Sequence, residues 1–130
     1  MTIGRALLSL TSAWSAVGSY LFDWNDTHIH NPAWPRHAKF HNAQTMSMGV
    51  VVGGTGLYAL WGGRWSRDRL RLSTGAASAY WVTQLSAVAY PGTALTDGPD
   101  AHRVRGPQPV ISAVALTLNA LAYALERRKV

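Results

Sequence analysis

Five histidines and no cysteine bound the chemistry this chain can carry out. Thiolate nucleophiles, thiolate metal sites and disulfides are excluded, so reactive groups must come from histidine, carboxylate and neutral polar side chains. Four of the histidines (His28, His30, His37 and His41) fall within fourteen residues, in a segment running from Asp23 to Met46. His37 and His41 are spaced i, i+4 and share one face if a helix starts at Pro35, which suits a first helical position. Histidine titrates near neutral pH, so this pair suits acid–base work, with Asp23, Asp26 or His28 orienting it. The same spacing can hold a divalent metal, with His28, His37 and His41 as ligands and a carboxylate completing the set. The glutamate of the zinc-protease motif is missing because position 38 is alanine, so that reaction is not expected. A plainer reading stands beside these. Asp23, Asn25, Asp26 and Asn31 order tight loops through side-chain to backbone bonds, and boundary histidines then serve only the loop.

The elements that position this segment are four apolar stretches, 6–22, 45–61, 72–90 and 110–125, none of which contains Asp, Glu, Lys or Arg. A membrane crossing takes about 20 residues, with about 17 as a lower bound. Pro109 fits a first helical turn, so the fourth helix is expected over 109–126, and the second over 35–61 with its membrane part at 45–61. The remaining helices are expected over 6–22 and 72–90. Segments 23–44, 62–71 and 91–109 carry the breakers and polar residues of connecting loops, such as Asn31-Pro32, Gly62-Gly63 and Pro91-Gly92. Mean hydropathy is near zero because the stretches are rich in Gly, Ala, Ser and Thr. Such residues let membrane helices pack closely, and Gly49/Gly53 and Gly75/Ala79 are small-xxx-small pairs.

Charge gives an orientation. The amino terminus, segment 62–71 and the carboxyl tail together hold eight basic residues against two acidic, leaving the whole +6 of the chain. The other two connections hold four basic against four acidic. By the positive-inside rule both termini are cytoplasmic. Tyr20, Trp24, Trp34 and Tyr90 then mark the outer boundary, and Trp61, Trp65 and Tyr123 the inner one. The expected fold is an all-α integral membrane four-helix bundle, one transmembrane domain over 1–130. A soluble bundle would need a charged face that 48–61 and 75–91 lack. A cleaved leader over residues 1–19 is opposed by Trp14 and by the apolar run through Tyr20-Leu21-Phe22.

Within the stretches, Gln84 and Asn119 are the strongest polar groups. Asn119 suits an interhelical hydrogen bond. Gln84 lies in the outer half of its helix, at a depth that His41 and Gln44 can approach. Met48, Tyr80, Trp81 and Ser112 would wall an outward-opening apolar pocket there, or simply pack as core. The arginines of 64–71 need no nucleic acid; attraction to anionic lipid explains them.

The segment Asp23-Trp24-Asn25, Thr27-His28, Asn31-Pro32, Trp34-Pro35, His37-Ala38-Lys39-Phe40-His41-Asn42, Gln44-Thr45-Met46 resembles an uncharacterised family of small four-span membrane proteins. The resemblance implies shared roles for Asp23, Asn25, His28, His37, His41 and Gln44, and no established activity. The layout is also loosely similar to the sterol isomerase and sigma-2 receptor group, whose sites use intramembrane carboxylates that these stretches lack. Two functions are expected. The first is binding or transforming a small lipophilic compound at the histidine-rich site, with a divalent metal as the candidate cofactor and Gln44 and Gln84 orienting the compound. The second is a non-catalytic membrane component, packing through glycine faces into a homo-oligomer or against another protein. Membrane lipids are partners in either case.

Overall fold

The computed structural model describes residues 1–96 and 106–130. His102 and the charged residues Asp97, Asp100, Arg103 and Arg105 lie outside the described residues. Four helices occur among the described residues: α1 (Ile3–Asp23), α2 (Arg36–Trp61), α3 (Arg67–Ala87) and α4 (Gln108–Glu126). No strand occurs among the described residues.

Local chemistry sets the ends. The Thr2 hydroxyl accepts from the Arg5 amide at the start of α1, and the Ser66 hydroxyl accepts from the Arg69 amide at the start of α3. Ser66 with Asp68 in the first turn is a favourable N-terminus. It starts α3 five residues ahead of the apolar stretch expected at 72, and the loop expected over 62–71 shrinks to Gly62–Ser66. The other end of α3 stops at Ala87 rather than at 90, and turns carry the chain on to Gly92, which takes a positive φ of 79°. Pro35 is extended and α2 begins one residue after it.

The helices form a bundle in which α1 touches the other three, while α2 and α4 lie diagonally apart. The α1–α2 contact is the closest. A Cβ at Gly53 would land on the Ser12 carbonyl oxygen, and one at Gly49 on the Ser15 carbonyl oxygen. At Gly56 it would meet the Ser12 side chain at 2.5 Å. The expected Gly49/Gly53 pair is therefore spent inside the chain, on α1. Gly54 and Gly75, by contrast, have no neighbour within 4 Å of an added Cβ.

Where α1 and α2 approach this closely, only small side chains fit. Thr11, Ser12, Ser15, Ser19, Ser73 and Ser112 are all buried. Asn119 ties three helices: its Oδ1 accepts from the Thr11 hydroxyl on α1, and its Nδ2 donates to Ser78 on α3 at 3.1 Å. Ser112 on α4 donates to Gln84 Oε1 on α3 at 2.7 Å. The buried apolar cluster is small, with Leu8, Leu60, Leu70, Ala77 and Ala122 at one end of the bundle. Large apolar side chains face outward on every helix, among them Leu10 and Val17, Val50 and Val51, Leu72 and Val82, Val114 and Leu121. Thr and Ser on these outward faces bond back into their own helix, as Thr55 does to the Val51 carbonyl and Thr117 to the Ala113 carbonyl.

Basic residues gather at the end that holds the apolar cluster. Arg5 donates to the Leu60 carbonyl, and its guanidinium lies 3.9 Å from the Trp61 ring centroid. Arg69 donates to the Ala59 and Tyr58 carbonyls. Both therefore satisfy the free carbonyls that end α2, where a positive charge also complements the helix dipole. Arg67 donates to the carbonyl of Val130, which brings the carboxyl tail to the same end. By length and composition one described helix, Gln108–Glu126, is apolar enough to cross a membrane.

Gly53→Leu is expected to force α1 and α2 apart and lower stability by about 1–3 kcal/mol or more, whereas Gly54→Ala is neutral or stabilising by up to about 1 kcal/mol. Thermal unfolding of the purified variants checks the pair; equal losses would remove the α1–α2 contact from its central place.

Candidate functional site

The other end of the bundle is organised by Asn25. Its Oδ1 accepts from the Thr27 amide at 2.9 Å and from the Thr27 hydroxyl at 2.6 Å, and lies 3.3 Å from His28 Nδ1. Its Nδ2 donates to the Phe22 carbonyl, joining the loop to α1. Asn31 repeats the device one turn on, accepting from the Ala33 amide and donating to the Thr27 carbonyl. Short polar side chains here replace the backbone bonds that helix and sheet would otherwise supply. The Trp34 ring stands edge-on to His28, with centroids 5.2 Å apart.

This loop holds His28 beside Asp23. The Asp23 carboxylate accepts from Asn42 of α2 at 2.9 Å, and its other oxygen lies 3.9 Å from His28 Nε2. That separation exceeds a direct hydrogen bond and fits a bridging polar group. Both side chains line a cleft of about 240 Å³ between α1, α3 and α4. Tyr80, Trp81 and Gln84 line its α3 wall. Trp14, Gly18, Ser19 and Phe22 form the α1 wall, and Gln108 and Ile111 the α4 wall. Three residues that line it, Ser19, Trp81 and Gln108, each carry a buried polar atom with no hydrogen-bond partner, three of the ten such atoms among the described residues. A buried donor or acceptor left unpaired costs on the order of 1–3 kcal/mol, so such a cluster points to a ligand or solvent.

The structure thus brings together Asp23, His28, Tyr80, Trp81 and Gln84 from the residues expected by sequence. It sets the others apart. His37 and His41 pair on the exposed first turns of α2, with their Nε2 atoms 3.0 Å apart, one donating to the other. Asp26, Gln44 and Met48 are exposed, and none of these five lines the cleft. The expected metal ligands His28, His37 and His41 do not converge. Among the described residues no three His, Asp or Glu side chains stand as a metal's ligands would. The reason is local: the Asn25 and Thr27 side chains engage His28 on the α1 side, while helical spacing turns His37 and His41 toward each other. Sequence reasoning missed Trp14, Ser19, Gln108 and Ile111. The signal for Ser19 was present, since Ser12, Ser15 and Ser19 recur at helical spacing and share the face of α1 that the bundle buries.

Among the described residues, fold and site together define an all-helical four-helix protein with buried hydroxyls and a polar cleft. The chain belongs to a family of unknown function, DUF6640, which matches residues 7–130. No curated protein and no solved structure matches it, and the likeness to the sterol isomerase and sigma-2 receptor group finds no counterpart in these comparisons.

Asn25→Ala removes the shared acceptor of the loop and is expected to destabilise it locally by about 1 kcal/mol or more. Hydrogen exchange of the Thr27 and His28 amides should accelerate while that of α3 stays unchanged. Unchanged exchange in the loop would mean Asn25 does not organise it.

Proposed function

We propose that this protein is a multi-pass membrane protein whose outer-end cleft binds a small lipophilic molecule carrying a hydrogen-bonding group. Three features support the membrane reading. Many Leu, Val and aromatic side chains face outward, while hydroxyls and Asn119 are buried beside a small apolar cluster. In water this arrangement forfeits hydrophobic burial; in hydrocarbon it costs little, because packing there rests on small residues and interhelical hydrogen bonds. Outward hydroxyls are satisfied within their own helices, as hydrocarbon demands. Basic residues collect at one end of the bundle, in keeping with the positive-inside rule. Cytoplasmic termini follow from that rule.

The binding reading rests on one observation, the unpartnered Ser19, Trp81 and Gln108 atoms in the cleft wall beside Asp23 and His28. The open 3.9 Å between His28 Nε2 and Asp23 fits a bridging hydroxyl of the bound molecule. His28 and Asp23 are accordingly the groups that would exchange a proton with it, rather than His37 and His41. Assembly through glycine faces has less to draw on. Gly49, Gly53 and Gly56 are occupied by α1, which leaves Gly54 and Gly75 for a partner.

A Ser19→Ala/Trp81→Phe double variant keeps the shape of the cleft and removes two unpaired groups. Native mass spectrometry of the protein released from mild detergent should show an organic adduct on the parent and its loss on the variant. The variant's unfolding temperature without ligand should be unchanged or raised, because unpaired buried groups are gone. A variant that unfolds earlier and keeps the same adducts would show that these groups serve the fold alone.

A further inference from the structure

A second, almost purely apolar groove of about 280 Å³ runs between α1 and α4. It shares Trp14, Trp81 and Ile111 with the polar cleft, so the two lie side by side with these residues between them. The direction is legible in the helices. Phe22, Asp23 and Gln108 belong to the polar end, while Leu10 on α1 and Val114 and Leu118 on α4 belong to the apolar end. From Val110 to Leu118 the α4 wall extends for about 12 Å at 1.5 Å per residue. Leu10 and Val114 are largely exposed, so the groove opens sideways on the outer surface of the bundle rather than toward the loop.

We infer that the ligand is a single-chain neutral amphiphile, with a hydroxyl head in the cleft and an alkyl chain lying in the groove between α1 and α4. This rests on the membrane and cleft reading given above. The head follows from the charges and donors present. Trp81 Nε1 can only donate, Gln108 Oε1 can only accept, and Ser19 Oγ does both. A hydroxyl both donates and accepts, so it can pair with any of these groups, or with His28 and Asp23, without a charge of its own. Asp23, His28 and Tyr80 are the titratable side chains that line the cleft, and neither Lys nor Arg lines it. A phosphate or carboxylate head would therefore meet a carboxylate with no fixed cation to balance it. The chain follows from the groove's composition, since Thr11 is its one hydroxylated residue among Leu, Val, Ile, Ala and Trp. Lateral opening gives a route from the bilayer that needs no passage through water.

The test is photolabelling in phosphatidylcholine vesicles with a diazirine- and alkyne-tagged analogue of cetyl alcohol. Flotation of the vesicles before irradiation shows separately whether the protein is membrane-embedded; protein that stays in the dense, lipid-free fraction overturns the membrane reading and this inference with it. In floated protein, label is expected on peptides holding Leu10, Trp14, Val114 and Leu118. Untagged cetyl alcohol should displace it at about fivefold lower concentration than hexadecane, as one hydrogen-bonding head requires. Trp81→Phe should shrink that preference, and Val114→Trp should block the label at the groove. Label spread evenly over Val50, Val51 and Val82 would show ordinary lipid contact and overturn the groove. Equal displacement by hexadecane would overturn the head site, and equal displacement by palmitate would overturn its neutral character.

Discussion

Everything in this protein depends on how closely α1 and α2 approach. Gly49, Gly53 and Gly56 let the backbone of α2 rest on the carbonyls and hydroxyls of Ser12 and Ser15. No large side chain fits at those three positions of the α1–α2 seam. The polar groups buried in the bundle are hydroxyls, the Asn119 amide and the Glu126 carboxylate, and those groups then have to be paired. Asn119 does most of this, joining α1, α3 and α4 through Thr11 and Ser78. Much of the apolar bulk lies on the outside, around a small buried set that includes Leu8, Met46, Leu60 and Leu70. The proposed membrane setting draws on this arrangement, because helix association in hydrocarbon rests on close packing and shared hydrogen bonds rather than on expelling water.

The two ends of the bundle resolve differently. At the basic end, Arg5 and Arg69 cap α2, and leucines close the interior. At the other end the seam between α1 and α4 is open, and buried polar atoms on three helices remain unpaired. The fold pairs Thr11, Asn119 and Gln84, and of the ten buried side-chain polar atoms it leaves unpaired among the described residues, those of Ser19, Trp81 and Gln108 belong to residues that line this cleft. Buried polar groups are normally satisfied, and local exceptions of this kind concentrate at functional sites. That contrast carries the functional reading more than the density of histidines does.

Much of the fold was legible in the sequence. The gaps between charged residues marked four helices, and the small-residue pairs marked close packing. Asn119 could be read as an interhelical bond, and the structure places it in one. The helix ends were less legible. The Ser66 cap extends α3 through Arg67, Arg69 and Arg71, which a reading by hydropathy assigns to a loop. The site was legible only in part. Tyr80, Trp81 and Gln84 follow from their depth on one helix. Which histidine joins them depends on how residues 24–35 fold back, and that is decided by Asn25 and Asn31 bonding to their own loop. No periodicity announces such a turn. His37 and His41 drew attention because helical spacing makes them neighbours of each other, but the same spacing says nothing about which way that face points.

The chain has no cysteine, so single cysteines report cleanly on where each surface lies. The most direct test of the account is labelling of Asp26→Cys, Val51→Cys and Gly63→Cys by a membrane-impermeant maleimide in intact and then permeabilised cells. The account predicts that Asp26→Cys reacts in intact cells, Gly63→Cys only after permeabilisation, and Val51→Cys in neither until the membrane is dissolved. Rapid labelling of Val51→Cys in the undissolved membrane would place that face of α2 in water and contradict the account.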